Sequence, residues 1–369
     1  MTLPTPSTAP GAPLVPVLVV VGVGLIGGSF AAALRRVGQV GKVIGVGRQV
    51  ASLERARDLG LIDEFLPLEH AVAQADLVLL SVPVGATEAT LAALLPHLPE
   101  HAVVTDVGST KRDVIAAARA AMGDRINQFV PGHPIAGSEQ SGPDAAQAGL
   151  YQGRDVILTP LLQNTRADVE FVQLAWELCG ADVRLMTPEL HDRALASVSH
   201  VPHLLAFAYM GQVIGAPDTA LRLDLAGSGF RDFTRIAGGS PDMWRDIFLA
   251  NSDVLLDEVA QVRGMLDMFE RAIRHGDTEQ LTMLLQAISS VRRNWGEAHA
   301  ADAAVGDAQS AGDVQTTDGA QSADGAQSAG GARSAGGARS GGAKTAGGLQ
   351  SSGDVQSAGD APSASSSEV

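Results

Sequence analysis

The first strongly patterned stretch is Val17–Val21, apolar at every position rather than at alternate ones. A continuous run of this kind marks a central parallel strand buried on both faces. Gly22-Val-Gly24-Leu25-Ile26-Gly27 follows, and Ser29–Val37 then has helical spacing. The alternation continues with strands over Lys42–Val46, Asp76–Val82 and Ala102–Asp106, a helix over Ala86–Leu95, and a β-like run at Gln128–Val130. Asp155–Thr159 and Asp182–Met186 read as further strands around an amphipathic helix near Arg166–Cys179. Strands alternating with helices imply a Rossmann-type, doubly wound parallel α/β sheet that binds ligands at the carboxyl ends of its strands.

At Thr187-Pro188-Glu189 the pattern changes. Thr as N-cap and Pro at the first helical position start a helix, and only helices follow. Pro202 must disturb the hydrogen bonding of the first of them. Ser240-Pro241-Asp242 caps another, and long amphipathic helices cover Ser252–Gly276 and Thr278–Trp295, with faces suited to a partner subunit. Beyond His299 an imperfect six-residue repeat of Ala, Gly, Ser, Gln and Asp lacks the recurring apolar residue a β-helix needs, so a disordered tail is expected. The expected division is a loose arm (1–13), a dinucleotide-binding domain (14–186), an all-α domain (187–299) and the tail (300–369).

Composition narrows the function. A net charge of −15 over 369 residues argues against nucleic acid or an anionic membrane as partner. A single cysteine, Cys179, allows no internal disulfide and fits a reducing cytoplasm. Leu14–Leu34 carries no formal charge, yet glycines and Pro16 break it and no basic residue precedes it. It reads as strand, turn and helix start rather than as a membrane span or signal peptide.

The glycine motif lies between a strand and a helix, where each glycine has a task. Gly22 makes the turn, Gly24 admits a pyrophosphate to the backbone, and Gly27 lets helix and strand pack; Leu25 and Ile26 lie at the helix N-terminus that receives the phosphates. The second strand ends at Gly47-Arg48, without the acidic residue that favours NAD. Arg48 offers charge to a 2′-phosphate, so NADP is preferred over NAD, unless Arg48 is simply a solvated surface residue. Ser81 and Pro83 end the next strand beside the same cofactor. Ser109, after Gly108, either caps the following helix or turns its hydroxyl toward the cofactor's reactive ring.

One histidine is fixed between Gly132 and Pro134. With an ordinary pKa near 6.5, His133 can exchange protons at neutral pH; the alternative is a turn in which it only caps a strand. Arg231 and Arg235 lie among aromatics in a glycine-bracketed loop, Ala226–Ser240, a setting for bidentate carboxylate binding, or for an ion pair with Asp232 or Asp246. His191, Asp192, Ser199, His200 and His203 share a segment but show no H-E-x-x-H pattern, so no metal is expected.

Together, Asp106-Val-Gly-Ser-Thr-Lys111, Gly132-His-Pro-Ile-Ala-Gly-Ser-Glu-Gln-Ser-Gly142, Pro188-Glu-Leu-His-Asp192, Ser199-His-Val-Pro-His203 and Asp232-Phe-Thr-Arg-Ile-Ala237 resemble the prephenate/arogenate dehydrogenase family of tyrosine biosynthesis. The resemblance spans Val17–Trp295. It implies oxidative decarboxylation of a cyclohexadienol with hydride transfer to NAD(P)+. It further implies His133 as base, Ser109 bonded to the substrate hydroxyl and to that histidine, Arg235 and His203 on substrate carboxylates, and Ser138 and Glu139 shaping the pocket. The helical domain would form a homodimer. Many relatives carry a regulatory ACT domain where this chain has its repeat. Two other expectations are open: a 3-hydroxyacid dehydrogenase or imine reductase of the same architecture, which relies on a lysine in the helical domain, and a catalytically silent dinucleotide sensor.

Overall fold

The computed structural model describes residues 11–137 and 140–312, with side chains through 297. The first ten residues of the expected arm, Ser138, Glu139 and the repeat beyond 312 lie outside the described residues.

Nine strands and thirteen α-helices make up the described residues. Strands β1 (Val15–Val21), β2 (Val40–Val46), β3 (Glu64–Phe65), β4 (Leu77–Leu80), β5 (Val103–Asp106) and β6 (Phe129–Val130) form one parallel sheet in the order β3-β2-β1-β4-β5-β6. This is the order of a dinucleotide-binding sheet, with its crevice where β1 and β4 diverge from the direction of β2. Side chains alternate across the sheet. Leu18 and Val20 of β1 pack with Phe30 and Leu34 of α1 (Leu25–Arg36), Leu53 of α2 (Val50–Asp58) and Trp176 of α6 (Arg166–Leu178). Val19 and Val21 face the opposite layer, against Val72 of α3 (Leu68–Val72), Leu91 of α4 (Thr87–Leu94) and Ile115 of α5 (Arg112–Met122). The sheet is therefore wound on both sides, which is why β1 is apolar throughout.

The later strands do not extend this sheet. β7 (Gly132–Pro134), β8 (Asp155–Leu158) and β9 (Asp182–Leu185) form a second, three-stranded sheet with β7 antiparallel to β8. His133 is thus neither in a turn nor a strand cap. It lies within β7, opposite Ile157.

The remainder is helical: α7 (Pro188–Leu195), α8 (Val201–Ile214), α9 (Thr219–Asp224), α10 (Ser228–Thr234), α11 (Pro241–Ala250), α12 (Ser252–His275) and α13 (Thr278–Gly312). Thr187 caps α7 by accepting from Leu190 N at 3.2 Å, and Ser240 caps α11 through Met243 N at 3.4 Å. Pro202 lies in the first turn of α8, behind a single π-helical turn at Ala196–His200 that takes up the broken hydrogen bonding. Two expectations change here. The glycine-bracketed stretch 226–240 contains α10 and a 3₁₀ turn at Arg235–Gly238 rather than one open loop. The last helix also runs past Trp295 to Gly312, because its alanine-rich continuation keeps high helix propensity after the apolar period has ended.

Candidate active site

The glycine turn shows why the motif has its spacing. Gly22 has φ +98°, and a Cβ there would lie 2.1 Å from the Ser81 carbonyl oxygen. A Cβ on Gly27 would meet the Gly22 oxygen at 2.5 Å and Val20 Cγ1 at 2.7 Å. Gly24 differs: a Cβ would have no heavy atom within 4 Å. That open space faces a cleft of about 790 Å³ that Gly24, Leu25 and Ile26 help to line. Gly24 is also the N-cap of α1, with no side-chain cap and no acidic residue in the first turn. The free N–H groups and positive dipole end there suit an anion such as a pyrophosphate. The residues present therefore fit a dinucleotide.

Ser81 and Pro83, past the end of β4, line the same cleft, as do Ser109, His133, His203 and Arg235. Arg48 is exposed beyond the end of β2 and outside the cleft lining. Ser109 does not cap α5, which has no side-chain cap of its own. Asp192 of α7 does that work instead, accepting from Lys111 N at 2.8 Å and Arg112 N at 2.9 Å. Ser109 is not hydrogen-bonded to His133. Asp246 pairs with Arg245, and Arg231 donates to the Ala226 carbonyl.

His133 lies at the floor of the cleft. Its Nδ1 is 2.8 Å from His191 Nε2, and His191 Nδ1 is 2.8 Å from Asp192 Oδ1. Arg112 holds the other oxygen of Asp192, and its guanidinium continues to Asn251 and Asp253. Beneath His133, Lys111 Nζ donates to Asp106 Oδ2 at 2.5 Å and to the Gly132 carbonyl at 2.7 Å. Asp106 also accepts from Gly132 N and Gly108 N, which fixes the backbone on both sides of the cleft floor.

Burial, aided by nearby His191, Lys111 and His200, holds the His133 pKa well below the ordinary histidine value. Burial lowers His191 too, against the opposing pull of Asp192. Burial tends to raise Asp192, but hydrogen bonds from His191 and the Arg112 and Lys111 backbone prevail and hold it below the usual carboxylate range. At neutral pH the cleft thus presents uncharged His133 with an ionised Asp192 two groups away. His203 stacks on Trp244 with ring centroids 3.6 Å apart, and its Nδ1 donates to the Ser199 carbonyl at 2.8 Å. Burial lowers its pKa as well; the Ser199 carbonyl opposes this and Arg235 adds to it.

Sequence reasoning placed His133, Ser109, His203 and Arg235 in one cleft, and the structure brings them together. It assigned no role to Lys111, Asp106 or Trp244, and it set aside a metal site for His191 and Asp192 without giving them another role. Among the described residues no cluster of His, Cys, Asp and Glu is arranged for a metal.

Residues 30–185 match the family profile described as prephenate dehydrogenase, nucleotide-binding domain, and residues 187–287 match prephenate dehydrogenase, dimerization domain. The chain belongs to the prephenate dehydrogenase family. The cyclohexadienyl dehydrogenase of Zymomonas mobilis is 37% identical over 268 residues, covering 72% of this chain and 90% of that protein. The Bacillus subtilis prephenate dehydrogenase is 35% identical, covering 72% of each. Among solved structures, prephenate dehydrogenase from Aquifex aeolicus in complex with hydroxyphenyl propionate and NAD+ superposes with TM-score 0.71 at 38% identity, covering 76% of this chain and 98% of that one. Synechocystis arogenate dehydrogenase gives 0.65 at 33% identity, with coverage of 76% and 99%. Among the described residues no helix is long and apolar enough to cross a membrane.

Proposed function

We propose that this chain is an NAD(P)+-dependent dehydrogenase of the prephenate/arogenate class, carrying out oxidative decarboxylation of the cyclohexadienol. The observation that carries the reading is the single cleft shared by the uncapped N-terminus of α1, the uncharged imidazole of His133 and the guanidinium of Arg235. When bound, the oxidised nicotinamide supplies a hydride acceptor for the substrate's C4. His133 takes the C4 hydroxyl proton, and loss of the ring carboxylate as CO2 completes aromatisation. Ser109 lines the cleft beside His133 and orients the hydroxyl.

Arg235 is the main partner of a substrate carboxylate. His203 has already given its Nδ1 proton to Ser199, so it meets a carboxylate only after taking a proton on Nε2; otherwise it is an acceptor and, with Trp244, an aromatic wall. Arg48 follows β2 next to the Gly22 turn, where Gly22 N donates to the Val46 carbonyl at 2.8 Å. The adjoining helix α2 has no acidic residue in its first turn. These features favour NADP+ while leaving NAD+ usable.

The helical domain is assigned to homodimer formation, supported by the exposed Leu256, Leu266 and Ile273 of α12 and Met283, Ile288 and Val291 of α13. Segment 187–299 contains no lysine, which removes the feature expected of a 3-hydroxyacid dehydrogenase or imine reductase.

Prephenate and arogenate, each crossed with NAD+ and NADP+ and followed at the NAD(P)H absorbance, provide the test. Reduction with at least one substrate is expected. Tight dinucleotide binding without turnover on either would favour a sensor instead. His133→Asn should lower kcat by roughly 10²–10⁴, the usual general-base contribution, with cofactor affinity unchanged. Near-normal turnover would remove His133 from this role.

A further inference from the structure

We propose that His191 and Asp192 are positioning residues that fix His133 in the one tautomer able to act as a base, and that they share the positive charge it acquires. This rests on the reading of His133 as the proton acceptor.

The argument follows from who can donate. Asp192 is ionised and only accepts. It takes backbone N–H groups from Lys111 and Arg112, a side-chain N–H from Arg112 and the Nδ1 of His191. His191 must therefore carry its proton on Nδ1. Since His191 is uncharged, its Nε2 is then a bare lone pair. The 2.8 Å contact to His133 Nδ1 is a hydrogen bond only if His133 Nδ1 holds the proton. That leaves His133 Nε2 unprotonated and the one ring nitrogen available to substrate. One carboxylate, two residues removed, thus determines which nitrogen of the base is free. A reversed chain would place a proton on Nε2 and offer the hydroxyl a donor instead of an acceptor.

The step balances without a co-reactant. The substrate O–H bond breaks and an Nε2–H bond forms on His133. His133 becomes imidazolium, and its Nδ1–H strengthens toward His191 while Asp192 stays ionised. The groups that face this pair are Lys111 with its partner Asp106 from the β5–α5 segment, Asp192 on α7 and His200 on the π turn. Lys111 and Asp106 are paired to each other, and His200 is held near pKa 4 by burial, so His200 is not a competing base near neutral pH.

His191→Leu removes the acceptor for His133 Nδ1–H, whereas His191→Gln keeps a carbonyl oxygen in its place. The leucine variant should lose at least about tenfold in kcat with KM changed less than about threefold. The glutamine variant should recover most of kcat. Equal behaviour of the two variants, or a leucine variant within about threefold of wild type, would overturn the proposal. If His133→Asn is inactive while His191→Leu is not, the relay fails and the base assignment stands; if His133→Asn is active, the base assignment itself fails. Nitrogen-15 spectra of the imidazoles in the wild-type holoenzyme, assigned with His133→Asn, give an answer even if neither His191 variant folds. A bare Nε2 on His133 is expected, and a protonated Nε2 in the neutral ring would refute the relay.

Discussion

Lys111→Met is the most demanding perturbation of this cleft, because the lysine is fully buried and holds two groups at once. Its Nζ lies 2.5 Å from Asp106 Oδ2 and 2.7 Å from the Gly132 carbonyl, with side-chain exposures of 0% for Lys111 and 3% for Asp106. Methionine fills a similar volume, so packing is nearly conserved and the change is electrostatic. Asp106 keeps its bonds from Gly108 N and Gly132 N but loses its counter-charge. Leaving a buried charge unpaired costs about 3–5 kcal/mol. The orphaned Gly132 carbonyl adds about 1–3 kcal/mol. Urea denaturation should show a midpoint lowered by about 1 M or more with m unchanged. Arg166→Met is the control. Its pair with Glu170 has a similar separation, 2.6 Å, but exposures of 91% and 58%, so its loss should be under about 0.5 kcal/mol. Lys111 also lowers the His133 pKa, so the acidic limb of kcat should move to higher pH in Lys111→Met. Equal losses in the two variants would refute the argument from burial, and a limb that stays or moves down would refute the electrostatic link to His133.

Gly24→Ala should keep stability within about 0.5 kcal/mol, since its Cβ meets nothing, while dinucleotide affinity measured by fluorescence titration falls at least about tenfold. Gly22→Ala should instead lose several kcal/mol in the same urea assay, because its Cβ would strike the Ser81 carbonyl at positive φ; equal stability of the two variants would contradict the turn geometry. Arg48→Ser should lower kcat/KM for NADP+ by roughly tenfold to a hundredfold and leave NAD+ unaffected, as expected for losing one charge-assisted contact of about 1.5–3 kcal/mol. His200, held near pKa 4 against an unfolded value near 6.5, stabilises the fold fully above pH 6.5 and loses that contribution as pH falls toward 4. His200→Gln should therefore reduce the stability lost between pH 7 and pH 5 by on the order of 2 kcal/mol; an unchanged loss would show that this histidine is not the sensitive group.

The parallel sheet was legible because burial on two faces leaves a direct mark on composition. β1 and β4 are apolar at nearly every position, and the glycines of the turn between β1 and α1 stand where a Cβ has no room or where a ligand needs it. β7 was not legible. Gly132-His133-Pro134 has turn-like composition, and its strand character comes only from pairing with β8, more than 20 residues later. The relay was hidden for a similar reason. His191 and Asp192 are adjacent on α7, but their partners, His133 and the α5 N-terminus, are 58 to 81 residues away. A missing local signal did exist: α5 begins with Lys111-Arg112 and no capping side chain of its own, so its free N–H groups required an acceptor from elsewhere.

The position of that acceptor determines how the two domains cooperate. His133 and Lys111 belong to the nucleotide-binding domain, whereas Asp192, Asn251 and Asp253 belong to the helical one. The Arg112 guanidinium reaches all three across the joint, at 3.1, 2.8 and 2.6 Å. Asn251 adds a bond to the Asp192 carbonyl and one to His200. A hinge that opened between the domains here would strip the caps from α5 and separate His133 from His191 in the same movement. The cluster that joins the domains is therefore the cluster that sets the protonation of the base. Substrate entry should accordingly leave the polar joint at the cleft floor closed.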